Sequence, residues 1–264
     1  MGYDVSYHPI KEQEIQEWYF DVLNDESKID NLAKEFEIED FYKQKYLDTV
    51  SVGKKTQPNE YFDKTHGYYI AVIQGFFRTY FYTRGSAFSF LIEENPDFKN
   101  YTKSWQEILK TNISNPIKNK ITDNYSSGVY ISTEQVQKLL KDYHSDEKVK
   151  QELENFYSHK RINVFLNALR YCKENNMGLL EATEVVEPDP LNLNNSTSYS
   201  NLFHCDKEGA FLYEEVAMEQ IREIEKQHNL ESGEISKNAK YAKTNVGTAE
   251  ENVKKGFWKK LLGK

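Results

Sequence analysis

One stretch governs what this chain can fold into: Tyr61 to Phe90, YFDKTHGYYIAVIQGFFRTYFYTRGSAFSF, its most aromatic and least charged run. Wound as a helix over Gly67 to Tyr82, it shows apolar side chains almost all the way round. Tyr68, Tyr69, Ile70, Val72, Ile73, Phe76, Phe77, Tyr80 and Phe81 leave Gln74, Arg78 and Thr79 as the polar marks. A helix apolar on every side is stable only when other elements surround it. A bilayer does not qualify, because a span takes about 20 predominantly apolar residues and Gln74, Gly75 and Arg78 interrupt this one. The stretch predicts a central core helix, capped at its start by Asp63 or Thr65.

The flanking sequence supplies the surrounding layers. Tyr3 to Pro9 alternates loosely and reads as a strand closed by Pro9. Ile15, Trp18, Tyr19 and Val22 recur as one helical face, Ile29, Leu32, Ala33 and Phe36 repeat it, and Phe41, Tyr42 and Tyr46 continue it. Beyond Phe90, Pro96 and Pro116 bracket a helix around Trp105, Ile108 and Leu109. Ser126 to Ile131 reads as a buried strand, and Ser132 with Gln135 has the spacing of a capping box. Three amphipathic faces follow, on Val136 to Tyr143, Val149 to Tyr157 and Ile162 to Leu169, with Gly178 as the stop of the last. Leu179 to Val186 is a strand candidate, residues 187–201 a long irregular loop, and Tyr213 to Ile224 a final helix. The polar sequence from Asn229 reads as a flexible tail.

Composition decides how large the core is and what it avoids. The chain has 19 Tyr, 15 Phe and 3 Trp, and each buried aromatic removes about 150–250 Å² from water, so a sizeable core is available. With 34 Lys and Arg against 42 Asp and Glu, the net charge is −8. That balance argues against nucleic-acid binding, which needs a basic face, and favours basic partners. Cys172 and Cys205 show neither disulfide-framework nor metal spacing. No basic segment followed by an apolar run and a cleavage site opens the chain, so an intracellular, cytoplasmic protein is expected, and the sequons at Asn194 and Asn195 carry no weight.

The motifs that carry chemistry are sparse. Neither G-x-x-x-x-G-K-[ST] nor G-x-G-x-x-G is present, and Gly85-Ser86-Ala87 lacks the second glycine of a nucleophile elbow, so a turn is the better reading there. His8, His66, His144, His159, His204 and His228 lie far apart; no metal site, cofactor or catalytic residue is predicted. Cys205 beside His204 raises a thiolate, but neighbours on an extended chain point apart, and Asp206 is better read as a helix cap. His66 is either a hydrogen-bonded core histidine or an acid-base group. Arg78 and Arg84 must find carboxylates, Glu93, Glu94 or Asp97 being the nearest candidates, or else line a pocket. In the second case His66, Arg78, Tyr80 and Arg84 would form a rim for a small anionic ligand.

The end of the chain differs in kind. KKGFWKKLLGK sets Phe257, Trp258, Leu261 and Leu262 on one helical side with five lysines around them. These 11 residues carry +5, so the remainder carries −13. Such a basic amphipathic segment suits an anionic membrane surface or a groove on a partner, and admits peripheral attachment at the inner membrane surface.

Three pieces together resemble the YfbM-like bacterial family of unknown function. They are the opening MGYDVSYHPIKEQEI, the run YFDKTHGYYIAVI, and GVYISTEQVQKLL followed by Tyr157 to Glu184. The resemblance covers about the first two-thirds of the chain and implies an α+β fold, without catalytic residues to transfer. In type rather than in residues, the chain is similar to bacterial immunity proteins, which are acidic and aromatic-rich and block a toxin through a complementary surface.

These readings converge on a mainly helical single α+β domain, residues 1–228, built round the aromatic helix, with a tail at 229–264 whose basic end is 254–264. The function they favour is non-catalytic protein binding of the immunity type, through an acidic, tyrosine-rich surface that meets a protein partner such as a basic toxin. The alternative is an enzyme or anion binder at the His66, Arg78, Tyr80 and Arg84 rim.

Overall fold

The computed structural model describes residues 3–56, 63–108 and 125–238. β1 (Asp4–Ile10) opens it and leads into one helical run: α1 (Glu12–Ile15), a π-helical turn (Gln16–Phe20) and α2 (Asp21–Asn24). The π turn has a cause in the sequence. Trp18, Tyr19 and Phe20 are consecutive and all buried, whereas an α-helix spreads consecutive residues about 100° apart, and the wider turn gathers them. α3 (Lys28–Glu35), α4 (Asp40–Gly53) and the aromatic α5 (His66–Phe77) follow, then β2 (Tyr80–Arg84), α6 (Phe88–Glu94) and α7 (Trp105–Ile108). The next elements are β3 (Ser127–Ile131), α8 (Thr133–Ser145), α9 (Glu147–Phe156), α10 (Arg161–Glu174) and β4 (Gly178–Thr183). Three short strands, β5 (Val186–Glu187), β6 (Thr197–Ser198) and β7 (Cys205–Asp206), precede α11 (Glu208–Gln227) and α12 (Glu234–Asn238).

Two compact units divide the chain, Met1–Val216 and Ala217–Lys264. The division falls inside α11, upstream of the expected boundary at residue 228. In the second unit Glu225 is buried and its carboxylate accepts from the Gly233 and Ile235 amides, which ties the end of α11 to the start of α12.

The first unit is α+β, a five-stranded mixed sheet in the order β3-β4-β1-β2-β7 with helices on both faces. β1 is central, antiparallel to β4 (Val5 opposite Thr183) and to β2 (Asp4 opposite Arg84). Strand alternation sends Val5, Tyr7, Val129, Ile131 and Leu179 to one core with α6, α8, α9 and α10, and Ile10, Tyr130, Leu180 and Ala182 to the other with α5 and the N-terminal helices. α5 is the centre of the second core: every residue from His66 to Phe76 is buried. The capping box forms as its spacing predicts, with Gln135 N donating to Ser132 Oγ and Ser132 N donating to Gln135 Oε1.

Several boundaries differ from expectation. α5 stops at Phe77, where Arg78 turns extended, and Tyr80–Arg84 becomes strand rather than helix. The aromatic, β-branched YFYTR run suits a strand, and β1 offers it a free edge. Thr65 takes the N-cap position of α5, yet its Oγ1 makes no hydrogen bond. β1 runs through Pro9 instead of closing there. The register with β2 ends at Tyr7, so the missing N–H of Pro9 faces no strand, and its carbonyl accepts from Gln74 Nε2 (3.2 Å). Gly178 starts β4; the left-handed residue after α10 is Asn176 (φ 53°). Residues 187–201, expected as irregular loop, contain β6 and the end of β5, which pair antiparallel. Leu109, Pro116 and the tail from residue 239 lie outside the described residues.

Candidate functional site

His66 opens α5, Arg78 follows its last residue, and Tyr80 and Arg84 are the two ends of β2. Each of the four takes a different partner. His66 Nδ1 is 2.7 Å from the Tyr19 hydroxyl, and burial pushes its imidazole down to about 4, which keeps it neutral near pH 7 and weak as a base. Arg78 donates to Glu14 (2.7 Å) and lies over the Trp18 ring, 4.7 Å from its centroid. Tyr80 stacks on the His8 ring (centroids 4.9 Å apart) with its hydroxyl 3.1 Å from Ser198 Oγ. Arg84 pairs with Asp4 (2.5 Å) and covers the Tyr213 ring at 4.8 Å.

The arginines therefore meet carboxylates other than Glu93, Glu94 or Asp97. Register is the reason for Arg84: Asp4 stands directly opposite it across β1 and β2, where opposite charges attract. Glu14 reaches Arg78 because α1 follows β1 directly, on the side of the sheet that α5 covers.

Two polar clusters that sequence reasoning did not single out lie inside the cores. On the α5 face, His8 is fully buried between Gln74 and Ser6, with Nδ1 2.7 Å from Gln74 Oε1 and Nε2 2.8 Å from Ser6 Oγ. The Gln74 amide nitrogen donates to the carbonyls of Pro9 and Thr79, so its oxygen faces His8 and the imidazole proton belongs on Nδ1. Burial holds the His8 imidazole down at about 3. Gln74, the polar mark in an apolar helix, is thus the partner of a histidine in the sheet.

On the opposite face Glu181 is buried in β4, where no cation pairs with it among the described residues. Its Oε1 accepts from Ser89 N (3.2 Å) and Ser89 Oγ (2.6 Å), and its Oε2 from Phe88 N (2.5 Å). α6 begins after Ala87, which has no side-chain acceptor, so a carboxylate from the sheet serves as its cap. Gly128 makes the room: a Cβ there would stand 2.6 Å from Glu181 Cγ. Burial raises the Glu181 carboxyl to about 7 against the opposing pull of its donors. Tyr7, opposite Glu181 in register, donates to the Ser86 carbonyl (3.0 Å) and receives from Tyr157 (2.7 Å).

The remaining candidates are also occupied. His204 Nδ1 donates to the Gly75 carbonyl (2.9 Å), and burial pushes the Cys205 thiol up to about 12; no thiolate is supported there. Gly85 adopts a left-handed φ of 80°, so Gly85-Ser86-Ala87 is a turn. Asp206 accepts from the Glu208 amide (3.0 Å) at the start of α11. A cleft of about 240 Å³ opens elsewhere, lined by Asp97, Tyr101, Lys138 and Lys148 among others. Its lysines are engaged with Asp97, Asp142 and the Tyr101 ring.

The tyrosine-rich surface expected from the sequence is not found among the described residues. Among the described tyrosines only Tyr3 is exposed, because the rings supply core area and many of the hydroxyls find internal partners. Among the described residues no three His, Cys, Asp or Glu side chains gather for a metal ion, and no helix is long and apolar enough to cross a membrane. Phe257, Trp258, Leu261 and Leu262 lie outside the described residues. Comparison of the chain with protein-family models, with curated proteins and with solved structures finds no match.

Proposed function

We propose that the chain is a non-catalytic protein-binding protein, of the immunity type in a bacterial cytoplasm, which occupies a basic partner such as a toxin through its acidic surface. One observation carries this reading: the side chains suited to chemistry are spent on one another inside the fold. His66 is spent on Tyr19, Arg78 on Glu14, Tyr80 on His8 and Arg84 on Asp4. The surface is then the part of the molecule left to act. Outside its last 11 residues the chain carries −13, being −8 in all with +5 in that segment. Such a charge speeds encounter with a cationic protein and excludes acidic ones. Membership of the YfbM-like family belongs to the same proposal; the described parts of the segments that suggested it fall in β1 and α1, in α5, and in β3 through β4.

Affinity capture with the full-length protein at low and high salt, read by mass spectrometry, tests the reading. The expected result is one stoichiometric basic protein that salt releases. Absence of any partner, or a partner held equally at both salt concentrations, would overturn it.

A further inference from the structure

Three phenylalanines of the first unit stand outside its cores, Phe211 with 54% of its surface exposed among them. Phe203 leaves 90% of its surface to solvent and Phe41 leaves 58%, with Leu202 exposed beside the first. Single exposed apolar residues are ordinary on protein surfaces. Phe203 and Phe41 share an attachment, since a neighbour of each in the chain contacts the last turns of α5. Phe41 packs on Tyr42 (centroids 5.1 Å apart) and Tyr42 on Phe76 (5.8 Å). His204, the neighbour of Phe203, is bonded to the carbonyl of Gly75, the residue before Phe76.

The turn that presents Phe203 is fixed. Asn201 Oδ1 accepts from Phe203 N (3.0 Å), His204 N donates to the Asn201 carbonyl (3.1 Å), and Ser200 Oγ donates to the Val72 carbonyl (2.7 Å). β7, which follows at once, is paired with β2. Gly75 permits the approach, since a Cβ there would lie 3.0 Å from Ser200 Cβ. Phe41 is steadied in turn by Lys45, whose ammonium sits 5.0 Å from its ring centroid. An apolar side chain held out on a rigid support has little backbone freedom to lose on binding, which is the economy of a pre-organised anchor.

Charge says what kind of molecule it meets. Residues 35–48, which carry Phe41, hold five carboxylates against two lysines, and residues 199–216, which carry Phe203, hold four against one. A second copy of the chain would set these like charges face to face, whereas a cationic surface is attracted to both segments. We infer that Phe203, Leu202 and Phe41 form the docking surface of the molecule, and that its occupant is a cationic protein receiving Phe203 in an apolar pocket. The inference rests on the protein-binding reading and adds the face and the chemistry of the partner.

The test titrates the protein retained at low salt, once identified and purified, against full-length wild type and the variants Phe203→Ser, Phe41→Ser and Phe211→Ser. Phe203→Ser is expected to weaken binding at least about 30-fold and Phe41→Ser about 10-fold. Phe211→Ser, exposed on α11 and outside both the Asn201 turn and α4, is expected to leave binding unchanged. All three should melt with the wild type, because none of these side chains belongs to a core. Wild-type affinity in both Phe203→Ser and Phe41→Ser would overturn the inference while leaving the protein-binding reading in place. An acidic partner would overturn it too, as would a wild-type dimer that Phe203→Ser dissociates. Retention of nothing at low salt would remove both the inference and the reading beneath it.

Discussion

Replacing Glu181 by glutamine isolates the cost of keeping a carboxyl in a core with three donors and no cation. Burial raises the group from 4.5 to about 7 in the folded protein, so the native state holds the proton more tightly than the unfolded chain does. The sign follows from linkage: the stabilisation is complete below the unfolded value and is lost as pH rises through 7. The change from 4.5 to about 7, at about 1.4 kcal/mol per pH unit, amounts to about 3 kcal/mol in full, of which about 2–3 kcal/mol falls between pH 5 and pH 8. Glutamine does not titrate, so the variant should gain on wild type by that amount over this range. Its amide also points N–H groups at one of the Phe88 and Ser89 donors, a constant penalty of about 1–3 kcal/mol that shifts both ends of the comparison equally. Carboxylates held below their ordinary range, such as Asp142 beside the Tyr101 hydroxyl, cancel between the two proteins. Urea unfolding at pH 5, 6, 7 and 8, followed by fluorescence of the buried Trp18 and Trp105, reads the difference as a midpoint gap changing by about 1 M. A gap independent of pH would show that the donors outweigh burial and that the carboxyl is ionised throughout.

Other substitutions probe the same fold. Gly128→Ala places a methyl against Glu181 and should cost about 1–3 kcal/mol; combined with Glu181→Ala the loss should be less than additive, which a double-mutant cycle measures. Glu14→Ala leaves Arg78 without its carboxylate in a mostly buried position and should cost about 3 kcal/mol in denaturant unfolding, with much of that recovered when Arg78→Leu is added. Cys205 should react with iodoacetamide at pH 7.5 at least about 100-fold more slowly in the native protein than in urea, because its thiol is held near 12. Equal rates would show a solvent-accessible thiol of ordinary acidity at β7.

Much of the architecture is legible in residue spacing. The faces of α8, α9 and α10, the Ser132 and Gln135 box and the strands β3 and β4 all follow from local periodicity, and α5 is as buried as its composition demands. The end of α5 is not legible. Residues 66–82 stay predominantly apolar on both sides of Arg78, and the change to strand after Arg78 depends on the free edge of β1, some 70 residues earlier in the chain. Aromatic content also fails to say which side a ring faces. The Tyr46 hydroxyl donates to the carbonyl of Trp18 and Tyr157 donates to Tyr7, partners that no local pattern announces. For the candidate site, spacing identifies Arg78 and Arg84 as needing carboxylates but not which ones, since Asp4 is selected by strand register and Glu14 by the path of α1. Glu181 had a signal: it is the one acid in the otherwise uncharged strand GLLEAT. Its meaning depended on the amides of Phe88 and Ser89.

The position of β1 bears on how the chain is made. Its neighbour β2 ends at residue 84, but its other neighbour, β4, ends only at residue 183. At about 5–20 residues per second, the interval between the two is roughly 5–20 s. During that time the edge of β1 that will meet β4 has no strand to pair with, and α6 lacks the carboxylate that caps it. Such non-local pairing slows folding. A nascent chain of this sequence is therefore most exposed to aggregation while residues 85–183 are being synthesised, and a synonymous codon change that slows this segment would lower soluble yield without altering the finished protein.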